Sequence, residues 1–152
     1  LESYRKMAVG SQAHDIPFSQ ARFAPSGNGA KSLKDLDATF KIVVFGASWC
    51  QHCQNELPEL IPLYEDWKKR GVEVLLVSLD ENAANFDAFT AKMPFLRMTD
   101  FKMWESPIVA DYHVFSTPSI FVLDRNLRIL EKPRSVRHLN AWIRANAANP
   151  SK

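Results

Sequence analysis

The sequence predicts an α/β fold in which a mixed central sheet is flanked by helices on both faces. Three observations predict it. Two strand-length apolar runs, Ile42-Val43-Val44-Phe45 and Val74-Leu75-Leu76-Val77, are separated by a long helical pattern. A second helical pattern follows the second run, which completes a βαβ unit with parallel strands and a right-handed crossover. Two further apolar segments surround the turn Asp124-Arg125-Asn126 and read as an antiparallel hairpin before a last helix.

Taken in order, residues 1–30 form a loose lead-in with Gly10, Pro17, Pro25, Gly27 and Gly29, and with two short edge strands near Ile16 to Phe18 and Ala21 to Phe23. Ser32 to Leu36 forms one helical turn. From Lys41 the pattern sharpens into the buried strand Ile42 to Phe45. A helix then runs from about Cys50 to Arg70 and closes at Gly71, with Leu57, Leu60, Ile61, Tyr64 and Trp67 as its apolar stripe and Pro58 and Pro62 bending it.

Val72 to Leu79 is the second core strand and Asn82 to Lys92 a helix that turns Phe86, Phe89 and Met93 to one side. Phe95 to Trp104 carries no clear period, so Phe95, Phe101 and Trp104 are open between core and docking surface. Pro107 to Tyr112 reads as a short helix with Pro in its first turn. Ser119 to Leu123 and Leu127 to Glu131 are the hairpin strands, and Ser135 caps a helix carrying Val136, Leu139, Trp142 and Ile143 inward. The whole chain, 1–152, reads as one domain.

Composition narrows the function. Of 152 residues 46% are hydrophobic and 24% charged, an ordinary globular balance, and a net charge of +2 without a basic stripe gives no footprint for nucleic acid. No run approaches the roughly 20 apolar residues that span a bilayer. The chain opens at Leu1 rather than Met, as a trimmed product would, so any membrane association would run through an N-terminal anchor missing from the sequence.

The two cysteines carry the chemistry. Only Cys50 and Cys53 are present, two residues apart. A disulfide framework would scatter several cysteines through a small chain, whereas an isolated C-x-x-C pair points to redox exchange or half of a metal site. The thiolate is the nucleophile, and a free cysteine with a pKa near 8.5 is only about 3% ionised at neutral pH. At the first turn of a helix, unpaired N–H groups and the positive end of the dipole favour the anion, and Cys53 one turn on shares the face. Lowering the Cys50 pKa to about 7 raises the thiolate fraction roughly 16-fold but costs nearly fivefold in nucleophilicity, a net gain of about threefold. The residues around the sulfurs therefore bear more on redox poise than on attack rate.

His52 between the cysteines either stabilises the Cys50 thiolate or stands exposed without effect. Trp49 packs beside the sulfur and borders a substrate surface. Thr117-Pro118, just before the strand Ser119 to Leu123, either takes a cis bond that turns the Thr117 backbone toward the sulfurs for a partner strand, or simply starts the strand in trans. Glu56, three residues beyond Cys53, is a proton acceptor for the resolving thiol or a solvated surface carboxylate.

With these residues in place, the chain resembles the thioredoxin superfamily from Val9 onward, and within it the TlpA/ResA-like thiol–disulfide oxidoreductases. The matching segments are Phe45-Gly46-Ala47-Ser48-Trp49-Cys50-Gln51-His52-Cys53, Glu56-Leu57-Pro58, Val72-Glu73-Val74, Tyr112 to Ser119, and Phe121-Val122-Leu123-Asp124. The lead-in Gly10 to Asp15 is similar to that group's opening segment, with His14 where a Pro is usual. The resemblance implies a thioredoxin-like fold, Cys50 as attacking and Cys53 as resolving cysteine, Pro118 as the cis-proline and Glu56 as the acidic residue after the motif. It further implies an extracytoplasmic or periplasmic setting, a link to apocytochrome c, protein thiol or disulfide substrates and an upstream redox partner, with no cofactor and no resident metal.

The sequence departs from the pattern twice. Val44 stands where cytosolic thioredoxins bury an Asp, and His52 replaces the Pro of the reducing members, so reduction, oxidation and isomerisation all stay open. The rival from another class is a zinc or copper site that joins Cys50 and Cys53 to two of His14, His52, His113 and His138. No second close ligand pair supports it. A peroxiredoxin-like peroxidase would need a Pro-x-x-x-Thr approach, absent before Cys50, and a redox-inactive binding domain would differ in thiol titration.

Overall fold

The computed structural model describes residues 7–18, 22–24 and 29–149. Among the described residues six strands form one sheet in the order β1-β4-β3-β2-β5-β6. They are β1 (Arg22–Ala24), β2 (Phe40–Gly46), β3 (Val72–Ser78), β4 (Leu96–Thr99), β5 (Ser119–Asp124) and β6 (Ile129–Glu131). The helices are α1 (Gln51–Glu56), α2 (Ile61–Lys69), α3 (Ala83–Thr90), α4 (Pro107–Asp111) and α5 (Val136–Asn146).

The mixed character of the sheet follows from its connections. β2 pairs in parallel with β3, and β3 with β4, because helices carry the chain back between them. β5 runs antiparallel to β2, β6 to β5 and β1 to β4. Along β2 side chains alternate between faces. Phe40 meets the Trp142 ring of α5 at 5.1 Å, and Gly46 faces Leu57 and Cys53. On the opposite face Phe45 meets the Tyr112 ring that follows α4 at 5.4 Å. Helices thus cover both faces. Ile42, Val43, Val44 and Phe45 are fully buried, as a central strand with two covered faces requires.

Lys41 shares the face of Phe45 and is only 1% exposed. Its ammonium donates to the carbonyls of Leu33 (3.0 Å), Lys34 (2.9 Å) and Arg125 (3.3 Å), so one buried cation ties the lead-in and the hairpin turn to the central strand.

Several expectations change in the structure. The single helix over 50–70 is three pieces: α1, a 3-10 turn over Leu57–Leu60, and α2. Pro58 and Pro62 each lack the N–H an α-helix interior needs, and each takes a first-turn position where none is needed. Gly71, at φ +82, ends the run.

The unassigned stretch 95–104 holds β4 and a 3-10 turn over Met103–Glu105. Within it Phe95 is fully buried, Phe101 half-buried and Trp104 43% exposed. The order βαβα-ββα therefore gains a strand. Near Ile16 to Phe18 there is a single bridge between Pro17 and Ser32 rather than a strand, since Pro17 has no N–H to extend a ladder. The second lead-in strand lies at Arg22–Ala24; residues 1–6, 19–21, 25–28 and 150–152 are outside the described residues. The second hairpin strand starts at Ile129, not Leu127. The Asp124 carboxylate accepts from the N–H groups of Asn126 and Arg128, and Leu127 takes φ 69 inside the turn. The helical turn after Ser32 is the 3-10 segment Leu33–Asp35.

A methyl group on Gly46 would lie 2.5 Å from Leu57 Cδ1 and 3.4 Å from Cys53 Sγ. Leu57 is fully buried and cannot move aside freely. Gly46→Ala should therefore destabilise the protein by about 1–3 kcal/mol in urea unfolding, the usual range for overpacking a core; stability at or above that of the unsubstituted protein would refute the close approach.

Candidate active site

The end of β2 delivers the chain into the turn Ala47-Ser48-Trp49-Cys50, and α1 starts at the next residue. Cys50 is the N-cap of α1: its backbone is extended, and its sulfur accepts the Cys53 N–H at 3.2 Å. Cys53 lies one turn on and is fully buried, while Cys50 is 8% exposed. Both are free thiols.

The two sulfurs are unlike. Burial pushes the Cys50 thiol up. Hydrogen bonds from the Cys53 and Thr117 side chains, and from the backbone N–H groups of Cys53 and His52, outweigh it and hold the thiol below its ordinary value. The Cys53 thiol is pushed up to about 12, chiefly by burial and next by its hydrogen bond to Cys50. The pair shares its last proton in favour of Cys53. Of the two, Cys50 is the sulfur more readily ionised and Cys53 the one that keeps its proton.

Thr117 faces this pair. Cys50 Sγ lies 3.6 Å from the Thr117 carbonyl, and the Thr117-Pro118 bond is cis. Trp49 is 47% exposed and held in place, its indole N–H donating to the Leu79 carbonyl at 3.0 Å and its ring 6.1 Å from that of Trp104. Phe115, two residues before Thr117, is 83% exposed. Beside Trp49 a shallow cavity of about 500 Å³ is lined by Ser48, Gln54, Asn85, Ala88 and Phe89.

The His52 side chain is exposed, and its backbone N–H favours the Cys50 anion. Glu56 is half-buried at the end of α1. Its Oε1 accepts the Val136 N–H at 2.5 Å and so caps the first turn of α5. Val44 is fully buried. Among the described residues no three His, Cys, Asp or Glu side chains converge as metal ligands would, and no helix is long and apolar enough to cross a membrane.

The sequence argument left Trp104 open between core and docking surface, named Gly46 only as part of the motif, and did not reach the buried network around Asp80. The last two depend on contacts between distant segments.

Residues 39–129 match the family described as thioredoxin-like. The chain belongs to this family. Over 133 residues it is 27% identical to the thiol–disulfide oxidoreductase ResA of Bacillus cereus, which covers 84% of this chain and 70% of ResA. Its fold superposes on the thioredoxin domain of a thiol–disulfide oxidoreductase from Bacteroides vulgatus with a TM-score of 0.76, at 22% identity over 93% of this chain and 99% of that one. A structure titled as a thiol:disulfide interchange protein DsbE from Chlorobium tepidum is 26% identical, with a TM-score of 0.66 over 83% of this chain and 84% of its own. This thioredoxin-like protein is an oxidoreductase of the thiol–disulfide class.

Thiolate grows as pH rises, so a lowered pKa moves the reactivity curve to lower pH and a raised one to higher pH. Iodoacetamide at pH 7 should modify Cys50 and spare Cys53, with the Cys50 rate reaching half its plateau below the pH of about 8.5 typical of a free cysteine. Equal labelling of both sulfurs would contradict the asymmetry.

Proposed function

We propose that this chain works as a single thioredoxin-like domain that exchanges disulfides with protein substrates through Cys50 and Cys53. The observation that carries the reading is the Cys50 sulfur at the tip of α1, which accepts the Cys53 N–H at 3.2 Å and is favoured as an anion over the buried Cys53 thiol one turn away.

The Cys50 thiolate attacks one sulfur of a substrate disulfide, a mixed disulfide forms, and the second substrate sulfur leaves as thiolate and takes up a proton. Cys53 then loses its proton and attacks Cys50, forming the Cys50–Cys53 disulfide and releasing the reduced substrate. Two electrons have passed to the substrate, and an upstream dithiol partner restores the pair. Run backwards, the same steps oxidise a substrate dithiol.

Cys53 cannot attack while protonated, so a base must take its proton. Glu56, on the helix that carries Cys53, is assigned that role. Thr117 and Pro118 present backbone to the substrate strand beside Cys50. Trp49 forms the rim that a substrate meets, and His52 contributes its backbone N–H to the thiolate. Likeness to ResA and to the DsbE structure supports a periplasmic or otherwise extracytoplasmic setting, with apocytochrome c among the substrates.

Cys50→Ser should abolish insulin reduction, while Cys53→Ser should accumulate a long-lived mixed disulfide, visible on a non-reducing gel. Undiminished reduction by Cys50→Ser would end the proposal. Equilibration with glutathione fixes the direction of flow: a potential near about −270 mV makes the protein a reductase and one near about −120 mV an oxidant.

Glu56→Gln keeps an oxygen for the Val136 N–H, so unfolding should shift little. Release of the mixed disulfide should slow by about tenfold to a hundredfold, in line with loss of a general base; unchanged release would remove Glu56 from the mechanism.

A further inference from the structure

The turn that sets Cys50 at the helix tip is closed by its own bond, the Cys50 N–H donating to the Ala47 carbonyl at 3.3 Å. β2 has ended at Gly46 and α1 has not begun, so no ladder or helical backbone bond holds Ser48 and Trp49. The Gln54 side chain of α1 donates to the Ser48 carbonyl, and a carboxylate from another connection takes the Ser48 N–H and hydroxyl. Asp80 lies two residues past β3 and is 1% exposed.

The Ser48 N–H donates to Asp80 Oδ1 at 3.1 Å and to Oδ2 at 3.3 Å, and the Ser48 hydroxyl donates to Oδ1. The Ser78 hydroxyl donates to Oδ2 at 2.5 Å, and its oxygen accepts the Asp80 N–H at 2.9 Å. Behind them the Thr99 hydroxyl reaches the carbonyls of Ser78 at 3.0 Å and Asp80 at 3.3 Å. Flanking bonds complete the junction: Leu79 N–H to Gly46 carbonyl at 2.8 Å and Trp49 indole to Leu79 carbonyl at 3.0 Å.

Among the described residues no Lys, Arg or His forms an ion pair with Asp80. A buried carboxylate without a cation is costly unless donors satisfy its oxygens. Here neutral donors do so, and most of them come from the turn it holds. A fully satisfied buried network of this kind fixes one geometry. Its strength is spent two residues from the reacting sulfur.

We propose that Asp80 is a positioning residue of the redox site: through Ser48 its buried carboxylate holds the Ala47–Cys50 turn in the one geometry that seats the Cys50 sulfur over the Cys53 N–H and sets Trp49 at the rim. The proposal rests on the exchange reaction above. Asp80 touches neither sulfur nor substrate and acts only through the turn.

Asp80→Ala leaves the Ser48 N–H, the Ser48 hydroxyl and the Ser78 hydroxyl without their acceptor. Asp80→Asn keeps one oxygen for Ser48. In insulin reduction kcat should fall by about tenfold to a hundredfold in Asp80→Ala, the scale for ångström-level misplacement of a reacting group, with KM moving less. The pH midpoint of Cys50 alkylation should rise in the same variant, and Asp80→Asn should recover much of both. A folded Asp80→Ala with the unsubstituted protein's kcat and alkylation profile overturns the proposal, as does an Asp80→Asn no better than Asp80→Ala. If Asp80→Ala does not fold, Ser48→Ala takes its place: it should shift the alkylation midpoint the same way by less, and an unchanged profile overturns the proposal. Alkylation needs no substrate, so it reads Asp80 even if insulin reduction by the unsubstituted protein fails and the exchange reading falls.

Discussion

The structure turns on one hydrogen bond, the Cys53 N–H donated to the Cys50 sulfur at 3.2 Å. At 8% exposure, burial would by itself keep Cys50 protonated, and a protonated thiol does not attack disulfides. Amides and a neighbouring S–H, each finding its best acceptor in the anion, reverse that outcome. Cys53 is buried more deeply and has no such reversal. Its main hydrogen bond runs outward to Cys50, so the interaction that stabilises one anion opposes the other. Asymmetry is thus a property of the pair, and it supports the proposed order of attack.

Placing that bond constrains the scaffold. β2 must stop short enough for the chain to turn and start a helix, and it must leave room for Cys53 beneath. Gly46 supplies the room, since a side chain there would meet Leu57 and the Cys53 sulfur. The sheet supplies rigidity. β2 is paired on both edges over nearly its full length, so the turn at its end departs from a fixed point. α1 is only six residues long and is continued by a 3-10 turn and α2, which gives a short helix the support of a longer one.

What could be read from the sequence was what neighbours in sequence decide. The C-x-x-C spacing, the apolar runs within β2 and β3, the Ser135 cap and the hairpin are local patterns, and the structure contains each of them. β4 was hidden because its four residues, Leu96-Arg97-Met98-Thr99, show too short an alternation. Its strand state comes from pairing with β1 and β3. The interrupted helix was half legible: Pro58 and Pro62 announced a disturbance, but the 3-10 turn between α1 and α2 was not specified by either alone. Asp80 drew no reading from the sequence. Its importance lies in Ser48, 32 positions away, and no spacing rule connects them.

The surroundings of the sulfur suggest how recognition and chemistry are divided. With a net charge of +2 and no charged stripe, long-range steering contributes little to encounter. The large side chains near the site that do meet solvent are Trp49, Trp104 and Phe115, and they are apolar over most of their surface. Apolar contact is non-directional and tolerates varied partners. The sulfur between them is almost buried and held by directional bonds. In the proposed exchange a partner would be gathered loosely by the rim, but its own sulfur would have to come down to Cys50, beside the Thr117 carbonyl, which lies 3.6 Å from Cys50 Sγ.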